Sequence, residues 1–87
     1  MKRKQGFVLQ TVGGDTYAVA VTAEAAGIGS MVKLNATAAT LFSLLENDVE
    51  SEALVEALVE KYEVTREVAE RDVAAFLQAL GEAKLLD

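Results

Sequence analysis

The hydrophobic rhythm of the chain changes once. Up to Leu34 the apolar residues fall in short runs or alternate with polar and small ones, and from Asn35 onward they return every three or four positions. A period of two marks a strand and a period near 3.6 marks a helix. Phe7–Val12 (FVLQTV) is rich in β-branched and aromatic residues. Gly13-Gly14-Asp15 follows, and the segment 16–21 (TYAVAV) then alternates, with Tyr17, Val19 and Val21 on one face and Ala18 and Ala20 on the other. Two such runs about a Gly-rich turn predict a β-hairpin. The segment 22–29, which contains Ala, Gly and a Glu, reads as a connecting loop. A short third strand is predicted over 30–34 (SMVKL), with Val32 and Leu34 on one face and Met31 and Lys33 on the other.

The second half predicts three helices. Asn35 is a good N-cap for the first, about 36–46, whose apolar face carries Leu41, Phe42, Leu44 and Leu45. Asn47-Asp48 breaks it. A second helix starts between Asp48 and Ser51 and places Leu54, Val55, Leu58, Val59 and Tyr62 at helical spacing. After the link Glu63-Val64, Thr65 caps the third helix, with Glu67 favouring its positive end. Ala69, Val73, Phe76, Leu77 and Leu80 form the stripe expected to be buried. Gly81 is expected to weaken or end this helix, and Leu85-Leu86 to pack back onto the core. Three strands cannot bury their apolar face alone, so the helices must cover it. The expectation is one α+β domain over 1–87, winged helix-turn-helix-like, with a three-stranded antiparallel sheet followed by three helices.

Composition narrows the chemistry. With 87 residues, 52% of them apolar, the chain has material for one modest core. It has no Cys and no His, which removes disulfides, zinc-finger spacing, thiol chemistry and Ser-His or Cys-His pairs. Most of the fourteen carboxylates sit at outward helix positions, as charged residues usually do. Glycines 13, 14, 27 and 29 fit no phosphate-binding loop that leads into a helix. No catalytic residue, metal site or cofactor is expected, and so no enzyme. No apolar run approaches the roughly 20 residues that span a bilayer. Nor does an apolar signal core follow Met1-Lys2-Arg3-Lys4, so a cytoplasmic location is expected.

Charge is divided unevenly. Residues 1–45 hold four basic and two acidic side chains, and residues 46–87 hold four basic and twelve acidic, for a total of −6. Such a helical half repels phosphate backbones. A winged-helix DNA-binding regulator stays as an alternative on fold class, although residues 65–72 carry two basic and three acidic side chains where a recognition helix wants positive charge. An acidic carrier protein is disfavoured by the β-rich front half and by the setting Glu50-Ser51-Glu52.

Two features suggest binding. At 100° per residue, Val68, Asp72, Ala75 and Ala79 cluster on one flank of the third helix, where small side chains leave room for a groove unless the protein's own residues fill it. A three-stranded sheet also has open edges, and an open edge accepts an added strand. Lys33 on the third strand can equally act as a gatekeeper that keeps such an edge free.

The stretches GFVLQTVGGDTYAVAV, GSMVKLNATAATLFSLLE, VEALVEKYEV and AERDVAAFLQAL, with the final LL, together resemble the PqqD family from Gly6 to Leu86. The namesake is pyrroloquinoline quinone biosynthesis protein D, and the wider group is the RiPP recognition element. Two segments carry most of the resemblance: Leu34-Asn35 with the Ala-rich turn and Leu41-Phe42-Ser43-Leu44-Leu45, and Asp72-Val73 with Phe76-Leu77 and Leu80. Phe42 stands where the family often has Trp, and Lys84 where many members have Gly. The resemblance implies a winged-helix-like adaptor without chemistry of its own. Its partners would be the leader segment of a ribosomally made precursor peptide and a modifying enzyme such as a radical-SAM protein, with no nucleic acid and no membrane. The leader would add to the third strand, at Met31, Val32, Lys33 and Leu34. It would lie along the third helix at Val68, Asp72, Ala75, Phe76 and Ala79. A helper subunit that binds only the enzyme is a further alternative, and the adaptor is expected as a monomer or weak homodimer.

Overall fold

A computed structural model describes residues 1–28 and 31–86. The hairpin forms as the pattern predicts, from β1 (Phe7–Val12) and β2 (Asp15–Ala20). Gly13 and Gly14 both have positive φ, 60° and 88°. Two consecutive residues of that kind make the tight turn whose twist matches paired strands, and glycine adopts it without strain. The third strand, β3 (Met31–Leu34), pairs with β2, so the antiparallel sheet runs β1-β2-β3. Ser30, assigned to that strand from its pattern, lies outside the described residues, as does Gly29.

The connection between β2 and β3 differs from the expected loop. A short helix, α1, occupies Ala23–Ile28. Thr22 starts it, its Oγ1 accepting the Ala25 N–H at 3.1 Å, and Ala25 is fully buried against the sheet. Gly6 is fitted to this helix. Its φ is +96°, and a Cβ there would meet Thr22 Oγ1 at 2.4 Å.

The three predicted helices become α2 (Ala36–Leu44), α3 (Ser51–Tyr62) and α4 (Arg66–Glu82). Asn35 caps α2, its Oδ1 accepting the Ala38 N–H at 2.8 Å. Thr65 caps α4 through the Val68 N–H at 3.2 Å. Of the expectation that Gly81 weakens or ends α4, the ending does not hold: the helix runs over it to Glu82. Two residues beyond that end, Lys84 has a φ of 61°, the left-handed geometry that glycine usually supplies after a helix.

The helices cover one face of the sheet. Along β2 the small residues turn inward: Ala18 is fully buried, and its size lets α2 come close. Phe42 of α2 meets Phe7 of β1 edge to face, with ring centroids 6.1 Å apart. Leu41, Leu45, Leu54 and Leu58 are buried around them. Arg3 is buried as well, its guanidinium 4.4 Å from the centre of the Phe42 ring and its Nε donating to the Phe42 carbonyl at 2.9 Å. Desolvation lowers the Arg3 pKa, opposed in part by nearby Glu46. The end of the chain closes the core from the other side. Leu85 is buried, and Leu86 bridges to Arg3. Among the described residues no helix is long and apolar enough to cross a membrane.

Candidate functional site

The phase of the hydrogen bonds shows which amides of β3 are free. A two-residue hairpin turn is closed by a hydrogen-bonded pair, here Val12–Asp15. The Val21 N–H donates to the Gly6 carbonyl at 2.7 Å, in the same phase, at the far end. Bonding alternates along an antiparallel ladder, so Asp15, Tyr17 and Val19 bond toward β1, and Thr16 and Ala18 bond toward β3. Their partners there are Leu34 and Val32. Met31 and Lys33 therefore point their N–H and C=O groups away from the sheet, toward an edge that no described strand covers.

A groove lies beside the end of that edge. The first turn of α2 and the middle of α4 enclose a cavity of about 310 Å³ lined by Asn35, Thr37, Ala38, Leu41, Asp72, Ala75 and Phe76. Leu41, 1% exposed, is its floor. The small side chains of Ala38 and Ala75 keep it open, and Asp72 stands half-buried in its wall with no ion-pair partner among the described residues. Asn35 also borders a second hollow, formed with Lys33, Leu34 and the hairpin turn. Lys33 Nζ lies 3.7 Å from Asp15 Oδ1 in an exposed pair.

Of the residues expected to bind, Asp72, Ala75 and Phe76 come together in the groove wall. Val68 and Ala79 share their flank of α4, one turn away on either side, without lining the cavity. On β3, Met31 and Lys33 are exposed, Val32 is half-buried and Leu34 is in the core. The sequence does not point to the opposite wall: Asn35 reads as a cap, while Thr37 and Ala38 belong to a run of small residues at the start of α2. That run, Ala36-Thr37-Ala38-Ala39, is the signal that could have found it.

The other flank of α4 is engaged differently. Arg66 is paired with Glu52 of α3 and with Glu70 one turn on, and the hydrogen bond it donates to the Glu52 carboxylate raises its pKa.

The family model described as "Coenzyme PQQ synthesis protein D (PqqD)" matches residues 6–86. Among solved structures, the chain is similar to TbiB1 in complex with the TbiA(beta) leader peptide, at 29% identity and a TM-score of 0.74, covering all of this chain and 95% of that one. It also shares its fold with a lasso peptide synthetase B1 complexed with the leader peptide, at 24% identity and a TM-score of 0.69, covering 97% and 93%. No curated protein matches.

Proposed function

The chain belongs to the PqqD family, and on that premise we propose that it is a non-catalytic intracellular adaptor. It holds the leader segment of a ribosomally made precursor peptide and presents it to a modifying enzyme. The leader adds as a fourth strand to β3, its backbone bonding to the outward amides and carbonyls of Met31 and Lys33. Side chains on the inner face of the leader then meet α4 and the groove floored by Leu41.

The observation that carries this reading is the juxtaposition of a free strand edge with a helix-walled groove. Backbone bonding supplies affinity without regard to sequence, and the groove supplies choice of side chain. The leader complex of the 29% identical relative is consistent with it. A DNA-binding role is disfavoured, because Arg66 at the start of α4 is held by two glutamates.

The test is proline at position 33. The Lys33 N–H donates to nothing in the sheet, so Lys33→Pro removes a donor from the free edge alone. By fluorescence anisotropy against a labelled leader peptide from a neighbouring precursor gene, Lys33→Pro is expected to lose at least about tenfold in affinity, since one buried hydrogen bond and the strand geometry go together. Circular dichroism should show the domain folded. Unchanged affinity in a folded variant rules out strand addition at β3.

A further inference from the structure

The sheet has a second open edge, and it differs from the first. The hydrogen-bond phase that frees Met31 and Lys33 on β3 frees Phe7, Leu9 and Thr11 on β1, since Val8, Gln10 and Val12 bond to β2. No described strand pairs with this row. Soluble proteins usually guard such an edge with a lysine, a proline or brevity. β1 has none of these: six residues, Phe-Val-Leu-Gln-Thr-Val, without charge or proline. Its apolar side chains reach solvent, with Val8 48%, Leu9 38% and Val12 57% exposed. There is room alongside. A hollow of about 240 Å³, lined by Arg3, Phe7, Val8, Leu9, Ser43 and Glu46, flanks the strand.

We propose that β1 is a self-recognition edge. Two copies of the chain pair their β1 strands antiparallel about a two-fold axis at Leu9, joining two three-stranded sheets into one of six strands. The occupant follows from the sequence of the strand. Antiparallel self-pairing through Phe7, Leu9 and Thr11 overlaps most fully when Leu9 faces Leu9, which sets Phe7 opposite Thr11 and Val8 opposite Gln10. About six backbone hydrogen bonds form in this register. No charge meets its like within the paired strands, because they hold none. A two-fold contact requires such a self-complementary patch.

The contact is small. One pair of strands buries less than the roughly 1,200 Å² at which stable interfaces begin, so the dimer is weak and depends on concentration. Each copy carries −6, and this repulsion opposes association, so added salt strengthens the dimer. The leader edge stays free, and a dimer offers two β3 edges.

Sedimentation velocity from about 10 μM to about 1 mM tests the idea across the weak range. The wild-type mass is expected to rise toward twice the monomer. Leu9→Pro loses no ladder bond, because Leu9 and Ala18 form a non-bonded pair, and it should remain monomeric throughout. Leu9→Lys keeps the amide but sets like charges face to face, and should do the same should proline disturb the fold. The chain has no cysteine of its own, so Leu9→Cys can be joined by a short bismaleimide, its Cα lying about 5.5 Å from its twin. Val12→Cys is more exposed yet should not join, since the two copies of Val12 lie about 20 Å apart in this register. A wild type that stays monomeric at every concentration overturns the proposal. So does a folded Leu9→Lys that still dimerises, or equal linking at both positions. Lys33→Pro should dimerise like the wild type; loss of the dimer there would move the contact to β3 and refute it equally.

Discussion

The two margins of the sheet share one backbone pattern and differ in their surroundings. Each presents a row of alternate amides to solvent, set by the phase of the same hairpin. β3 is four residues long, carries Lys33, and runs into a groove between α2 and α4. β1 is six residues long and uncharged, with a smaller hollow of about 240 Å³ beside it that its own side chains help to line. An edge beside a shaped groove can demand particular side chains of the strand it accepts. An edge without one accepts whatever matches its own register. On the proposed reading, selectivity comes from the helices and the strands supply the common adhesive.

The largest expected effect breaks the distinction between inward and outward amides on β3 itself. Val32 bonds to Ala18 and packs against the core, so Val32→Pro removes a ladder bond inside the sheet. Its stability should fall by about 3 kcal/mol, the scale at which proline disrupts regular structure. Lys33→Pro, one residue along, should move the urea midpoint little. If the two variants are equally unstable in urea, the assignment of the free amides is wrong.

Next comes the groove. Ala75 is exposed and lines the cavity, so Ala75→Arg fills it without touching the core. Surface substitutions of this kind usually shift stability by less than about 0.5 kcal/mol. Leader affinity should drop by about tenfold, equivalent to some 1.4 kcal/mol, while self-association at β1 stays as it was. Equal leader affinity in calorimetry would take the groove out of recognition and leave the strand edge alone.

A smaller effect is expected from making β3 resemble β1. Lys33→Val removes the gatekeeper and an exposed ion pair with Asp15 whose loss costs less than about 0.5 kcal/mol. The variant should self-associate more strongly than the wild type in sedimentation, now through either edge. No increase would mean that brevity, rather than charge, protects β3.

Much of this arrangement is legible in the residues. The strand alternation, the caps Asn35 and Thr65 and the stripe Ala69-Val73-Leu80 appear where periodicity and side-chain chemistry place them. The free amides were not legible, because the residue pattern puts Asp15 in the turn with Gly13-Gly14, whereas Asp15 pairs with Val12 and that pair sets the phase of every other. Helix α1 was hidden by Gly27 and Gly29, although Thr22 ahead of Ala-Glu-Ala-Ala is a cap before good helix formers. Gly81 misled in the opposite direction. A single glycine costs about 1 kcal/mol in a helix, less than the burial of Leu80 and Leu85 on either side returns. The α2 wall of the groove could not be read, because periodicity treats one helix at a time. Asn35 and Asp72 meet only through the packing of α2 and α4 on a shared core.

Asn35 joins these threads with the smallest effect. Its Oδ1 accepts from the Ala38 N–H at 2.8 Å and from Thr37 Oγ1 at 3.0 Å, and its residue borders both hollows at the end of β3. Asn35→Ala leaves those donors at the start of α2 to water, which should cost about 1 kcal/mol in urea unfolding. Fraying of that turn blurs one groove wall, so leader affinity should fall a few-fold, and self-pairing at β1, on the far side of β2, should not change. Asn35→Asp restores an acceptor and adds a negative charge at the positive helix end, so stability should return. If affinity returns with it, the cap acts by holding the wall in place. Full stability with affinity still reduced would instead show that the Asn35 amide group itself contacts the leader.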